Sequence, residues 1–260
     1  MNYIVIDLEF NQSFDFPTGL KIKKNAKCPF EIIQIGAIKL DDNLTELDRK
    51  SFLVKPQIYE RMHPFVEKIT GISMADLKKE SFFDEVYQAF IEFIGPEKST
   101  FCVWGSNDMH VLYRNLVFYK LNHRLLSRHY INVQDLASVF LKQSAHSCVG
   151  LKAAVEAFHI AEDKNFHDAL NDAIYTAEIF KIVKNPQIRA ESFNLSQLKQ
   201  EKKPGMSTPV NVIRLNKYAE KQLQRKLTDR EKEAVLAIYI AGRQNEFDPK
   251  FDCKIDTRPV

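Results

Sequence analysis

The chain has 260 residues, 45% of them hydrophobic and 27% charged, with 37 Lys+Arg against 34 Asp+Glu. That size and balance suit one sizeable α/β domain with an appendage and exclude wholesale disorder. No apolar run approaches the roughly 18 residues that span a bilayer, and the opening MNYIVIDLEFN lacks the basic start of a secretory signal. Four widely spaced cysteines (Cys28, Cys102, Cys148, Cys253) form no CxxC pair, which argues against a thiolate metal site or a disulfide framework. The expectation is a reducing, cytoplasmic location with no membrane partner.

The opening run Tyr3-Ile4-Val5-Ile6 is apolar on both faces of a strand, the pattern of a central strand covered on both sides. A polar stretch with Pro17, Gly19 and several lysines leads to a second predicted strand over 31–38. The Asp41-Asp42-Asn43 turn then leads to a third over 51–54, closed by Pro56. These make a hairpin beside the first strand. Ser73 and Asp76 have the spacing of a helix cap, and residues 83–94 repeat aromatic and aliphatic side chains at helical spacing up to Gly95-Pro96. Phe101-Cys102-Val103-Trp104 predicts a buried strand, followed by a helix over about 107–121 and a short strand at 131–133. Helices follow near 134–142, 150–158 and 168–183. A hairpin followed by alternating strands and helices predicts a mixed five-stranded sheet flanked by helices, an α/β domain over 1–185.

Residues 186–209, with SQLKQEKKPGMSTP among them, have the composition of a linker. Residues 210–260 predict a helical C-terminal extension. Its helices lie near 212–226 and 229–241, the second capped by Thr228 and Glu231 and ended by Gly242. Residues 1–195 hold 23 Lys+Arg and 25 Asp+Glu, a net of −2, whereas 196–232 hold 10 and 4, a net of +6. A polyanion would be drawn to the basic segment, although a solvated, lysine-rich linker and helix face produce the same count.

Three acidic groups carry the chemistry. Asp7 and Glu9 stand two apart at the end of an apolar strand, so alternation turns both carboxylates to one face and Leu8 to the other. Carboxylates held that close repel unless a cation compensates, and oxygen donors of this kind suit Mg²⁺ or Mn²⁺. The alternative is a strand running out into solvent. Asp108 follows a strand that breaks at Gly105 and falls in the first turn of the next helix, where the dipole favours an acid whatever its role. In His167-Asp168-Ala169-Leu170-Asn171-Asp172 the five-residue offset separates His167 and Asp172 by about 140° on a regular helix. Both can face one point only if the helix starts near Asp168 and leaves His167 on the loop. His167 is then placed to take a proton from water. The plainer reading makes Asp168 an N-cap, Asp172 a surface acid and His167 an ordinary loop residue. The other six histidines show no ligand spacing.

In order and context these motifs resemble the DEDDh-type 3′→5′ exonucleases of the ribonuclease H-like superfamily. The motifs are Asp7-x-Glu9 in IVIDLEFN, Asp108 in VWGSNDMHVL and His167-x4-Asp172 in HDALNDA. EIIQIG and Ile69-Thr70-Gly71-Ile72 match between them, and the likeness spans about residues 1–185. The EFN ending, the Trp104-Gly105 pair and the PFEIIQIGAI strand are most similar to exonucleases of the KapD and enhanced-RNA-interference type. The resemblance implies a ribonuclease H-like fold and metal-dependent hydrolysis of single-stranded nucleic acid from its 3′ end, RNA favoured over DNA, with release of nucleoside 5′-monophosphates. It implies two Mg²⁺ or Mn²⁺ ions bridged by Asp7 and completed by Glu9, Asp108 and Asp172, with His167 as the base. It also implies that Leu8 and Phe10 hold the terminal nucleotide, for which Phe10 has core packing as its alternative. Asn11-Gln12 and the lysine-rich loop over 21–27 belong to no motif. Two other functions stay open: a single-strand DNA exonuclease, and a silent nucleic-acid-binding or regulatory protein that retains the fold.

Overall fold

The computed structural model describes residues 1–14, 22–142, 148–198, 212–228, 231–232 and 235–236. The chain divides into two units, Met1–Lys199 and Gln200–Val260. In the first, β1 (Asn2–Gln12), β2 (Phe30–Leu40) and β3 (Glu46–Leu53) are followed by helices α1 (Pro64–Thr70), α2 (Met74–Leu77) and α3 (Phe83–Ile94). Then come β4 (Ser99–Val103), α4 (Asn107–Phe118), β5 (His129–Asn132), α5 (Val133–Phe140), α6 (Leu151–Ala157), α7 (Ala169–Val183) and β6 (Glu191–Ser192). The sheet order is β3-β2-β1-β4-β5-β6. β1 is antiparallel to β2 and parallel to β4, so the sheet is mixed, as expected.

β1 is apolar on both faces because both are covered. Ile4, Ile6 and Leu8 pack with Phe90, Phe101 and Leu112 into one core. Tyr3 and Val5 pack on the other face with Ala173, Ile179 and Phe180 of α7. Full burial of each such aliphatic or aromatic side chain contributes about 1.5–3 kcal/mol. α3 spans the expected residues, and the Ser73–Asp76 capping box starts α2.

The sheet has six strands rather than five. The sixth is two polar residues, Glu191 and Ser192, and so carries no alternation to read. It is fixed by its surroundings: the Phe193 N–H donates to the Arg128 carbonyl at 2.8 Å, the Phe193 ring is buried, and the Tyr130 hydroxyl donates to Glu191 at 2.8 Å. The first part of the segment expected as linker, 186–198, therefore belongs to the first unit. α1 is a further addition. Pro64 opens it, the His63 ring caps it and Gly71 ends it, but Val66 is its one buried residue, too little to give a periodic signal. Asn11, unassigned from sequence, is buried and ties β1 to the entry of α1. Its amide donates to the Arg61 carbonyl and accepts from the His63 N–H, both at 2.9 Å.

In the second unit α8 covers Val212–Leu223. The predicted cap is present, with the Glu231 N–H donating to Thr228 Oγ1 at 3.3 Å and the Thr228 N–H to Glu231 Oε2 at 2.8 Å. Most of the helix predicted over 229–241, with Gly242, lies outside the described residues, as do Pro17, Gly19, residues 199–209, His146 and Cys253. Among the described residues no helix is long and apolar enough to cross a membrane.

Candidate active site

Asp7 lies opposite Gly36 and Glu9 opposite Gln34 across the β1–β2 pair. Both carboxylates stand on the face covered by α7. β2 brings that helix close because it has glycine at the crossing point. A Cβ on Gly36 would lie 2.0 Å from the Ala169 carbonyl carbon, so any other residue would push the helix off the sheet. Gln34 fixes the same crossing by hydrogen bonds. Its amide nitrogen donates to Asp168 Oδ2 at 3.0 Å, and its amide oxygen accepts from the Ala169 N–H at 3.1 Å. Leu8 and Phe10 belong to the opposite face. The Leu8 side chain is buried in the first core, and Phe10, beyond a register shift after Glu9, is half-buried against Phe30 at 5.0 Å.

Asp168 is the N-cap of α7 and accepts from the Asn171 N–H at 3.0 Å, so the helix begins where the five-residue offset requires. His167 sits just outside with φ +64, a left-handed conformation uncommon outside glycine and of the kind held where surrounding structure enforces it. Its backbone N–H donates to Asp172 Oδ2 at 3.1 Å. Ligand atoms of Glu9, His167 and Asp172 all lie within 4.8 Å of one another. Asp108 arrives from the other side of the sheet order. β4 ends at Val103, Gly105 turns with φ +85 while its N–H is held by Asn132 at 3.1 Å, and α4 then carries Asp108 in its first turn. Asp108 is buried and is not the N-cap, a place taken by Ser106.

The four acids load one another electrostatically. Burial first, then the charges of Asp108, Asp172, Glu9 and Asp168, hold the Asp7 carboxyl well above the usual carboxylate range. Burial followed by Asp172 and Asp108 pushes Glu9 up to about 9. Burial and Asp172 push Asp108 to about 8. Burial raises Asp172 to about 7, even though the His167 N–H pulls the other way. Among the described residues, no lysine or arginine enters the balance for any of the four. Asp172 Oδ1 is buried without a hydrogen-bond partner. Buried carboxylates that repel one another, with an orphaned acceptor among them, fit a divalent cation bound through hard oxygen donors.

The fold brings Glu9, His167 and Asp172 together and sets Asp7 and Asp108 within reach of their charge; the residues that set this arrangement carry no such signal in the sequence. Gln34 and Gly36 were part of a family-like strand and nothing more. An isolated glycine inside a strand is the signal that a second backbone passes close by. Asp168 also does more than cap: it borders two adjoining clefts of about 690 and 370 Å³ beside the acids.

Comparison with known proteins gives the family. The exonuclease (RNase_T) family model matches residues 4–180. The chain is 26% identical over 224 residues to the protein named probable 3′-5′ exonuclease KapD from Bacillus subtilis (strain 168), covering 83% of this chain and 97% of that one. Two solved structures share the fold. The nuclease domain of 3′hExo, a DEDDh family member bound to rAMP, superposes with a TM-score of 0.62 at 21% identity, covering 74% of this chain and 97% of that one. Exonuclease X in complex with 5′ overhanging duplex DNA gives 0.51 at 15% identity, covering 73% and 96%. With the family model spanning β1 to α7 and its sheet built on the same plan as these nucleases, the chain belongs to the exonuclease (RNase_T) family.

Proposed function

We propose that this nuclease is a metal-dependent 3′→5′ exonuclease that shortens single-stranded nucleic acid, RNA in preference to DNA, and releases nucleoside 5′-monophosphates. The observation that carries the reading is the convergence of Glu9, His167 and Asp172 within 4.8 Å, on a centre whose charge also reaches Asp7 and Asp108. The relative named as a probable 3′-5′ exonuclease supports the polarity, and the neighbour bound to rAMP supports a ribonucleotide.

Asp7, Glu9, Asp108 and Asp172 would hold two divalent cations, Mg²⁺ or Mn²⁺, which when bound neutralise charge developing on the attacking and leaving oxygens. His167 takes a proton from the attacking water. The bond from the water oxygen to phosphorus forms as the bond from phosphorus to the 3′-oxygen breaks, and that oxygen takes a proton from solvent, so the shortened strand leaves with a 3′-hydroxyl. The Asp172 oxygen that accepts from the His167 N–H holds the loop that carries the histidine. Asp168 and Gln34 keep the helix start beneath it. Leu8 and Phe10, whose side chains pack on the opposite face, would hold the terminal nucleotide through their main chain. The free, buried thiols of Cys28 and Cys102 suit a cytoplasmic enzyme.

The test is mass analysis of products from matched 5′-labelled RNA and DNA oligomers incubated with Mg²⁺ or Mn²⁺. A ladder shortened from the 3′ end with nucleoside 5′-monophosphates, faster for RNA, is expected. Faster cleavage of DNA would select the DNA exonuclease, and no cleavage of either would remove the enzymatic reading.

A further inference from the structure

An anionic centre repels the very polymer it must hold. Protein cations that contact phosphates beyond the reacting one offset that repulsion. Among the described residues, two cations line the larger cleft, which runs between the end of α1 and the loop before α7 and has Asp168 on its wall. Lys68 lines it from α1, and Lys164 from the loop. Phe166 and Asp168, the immediate neighbours of His167, also line it, so the cleft runs beside the loop that carries the proposed base.

Lys164 is built into place. Tyr175, one turn below Asp172 on α7, accepts from the Lys164 N–H and donates to the Lys164 carbonyl, both at 2.9 Å. Phe166 stacks on the same tyrosine ring at 4.9 Å. The Lys164 side chain is 28% exposed and its ammonium rests 2.6 Å from Asp163, an exposed partner that a phosphate can replace. Lys68 makes no ion pair with any described carboxylate. Glu162, an acid on the same lining, has Lys152 at 4.0 Å. The smaller cleft shares Thr70, Gly71 and Asp168 with the larger and ends at a third cation, Lys79.

We propose that this cleft receives the sugar-phosphate backbone of the substrate strand next to the scissile bond, with Lys68 and Lys164 contacting its phosphates. The assignment rests on the exonuclease reading for its substrate class. Its volume, about 690 Å³, is in the range of sites that enclose small-molecule-sized groups.

The experiment is fluorescence anisotropy of a labelled single-stranded RNA 12-mer on the full chain, in a His167→Ala background so that no strand is cut. Salt is varied, and Lys68→Ala with Lys164→Ala is compared with Lys98→Ala at the opposite end of the sheet. Each phosphate contact contributes about 0.7 to the slope of log affinity against log salt for a single strand, so the double variant should lower the slope by about 1.4. At 0.1 M salt that corresponds to roughly twentyfold weaker binding, while Lys98→Ala leaves binding as it was. A double variant that binds with the starting affinity and slope overturns the assignment, as does a parent that binds no strand. Strand degradation by the unmutated chain is measured separately. If binding responds as expected and nothing is degraded, the cleft stands and the exonuclease reading falls. If strands are degraded and binding ignores both lysines, the reverse holds.

Discussion

Glu31 and the Asp7 group are acids on neighbouring strands and their flanking helices that do opposite things. Glu31 on β2 is 1% exposed, yet its carboxylate is surrounded by donors. Oε1 accepts from the Gln57 N–H, from the Ile58 N–H at 2.8 Å and from the Tyr119 hydroxyl at 2.7 Å, and Oε2 accepts from the Tyr59 N–H at 2.9 Å. On the neighbouring strand, no described residue donates a hydrogen bond to the side chain of Asp7 or Glu9, and Asp172 keeps one oxygen with no partner at all. Glu31 is complete and serves as a rivet that fastens residues 57–59 to the sheet. The Asp7 group is complete only when something positive comes from outside. Burial alone therefore says little about whether a carboxylate is reactive; the supply of donors around it decides.

The comparison is sharpest where a single atom changes. Asp7→Asn should reduce nuclease turnover by roughly a thousandfold or more, while its melting temperature in chelator stays level or rises because a mutual repulsion is removed. A melting temperature several degrees lower would mean that Asp7 is riveted as Glu31 is. His167→Ala should lower kcat by about 10²–10⁴ with Mn²⁺ binding retained, and wild-type turnover in that variant would remove the proposed base. Glu31→Ala should show the opposite pattern. Leaving several backbone donors buried without an acceptor costs about 1–3 kcal/mol each, so chemical denaturation should report a loss of about 3 kcal/mol or more, with turnover per folded molecule preserved. Gln34→Ala falls between the two. Its loss frees Asp168 and the Ala169 N–H at the helix start, which should cost about 1–3 kcal/mol and lower kcat more than it changes KM.

The remaining effect is on pH. Folding raises Asp172 to about 7, Asp108 to about 8 and Glu9 to about 9, against about 4 in an unfolded chain. The folded protein thus holds protons that the unfolded chain has released. The stability they confer is fully present below about pH 4 and is lost as pH rises from there through the folded values of about 7 to 9. Thermal unfolding in chelator should show that decline, and added Mn²⁺ should reverse it most strongly at the alkaline end. A chelated protein that grows more stable over this range would contradict the burial and repulsion assigned to the acids.

Much of this was legible in the sequence for physical reasons. Alternation placed Asp7 and Glu9 on one face because a covered central strand tolerates no slip of register. The five-residue spacing of His167 and Asp172 made sense only with a helix starting between them, which is where Asp168 caps it. Leu8 and Phe10 were harder. The same alternation that gathers the acids sends these two side chains to the far face, where Leu8 joins the core. The role of Gly36 was hidden because it depends on a helix 133 residues later in the chain, and no local pattern records a contact of that range. β6 and α1 were equally hidden, since each is held by a few long-range contacts such as Phe193 N–H to Arg128 and Asn11 to His63.

The central claim is that the Asp7 group is unfinished without a cation. Calorimetric titration of Mn²⁺ into the unmutated chain and into Asp7→Asn at pH 8 tests it most directly. Saturable binding by the first and its loss in the second is the predicted result. Equal binding by both, or binding by neither, would contradict the account.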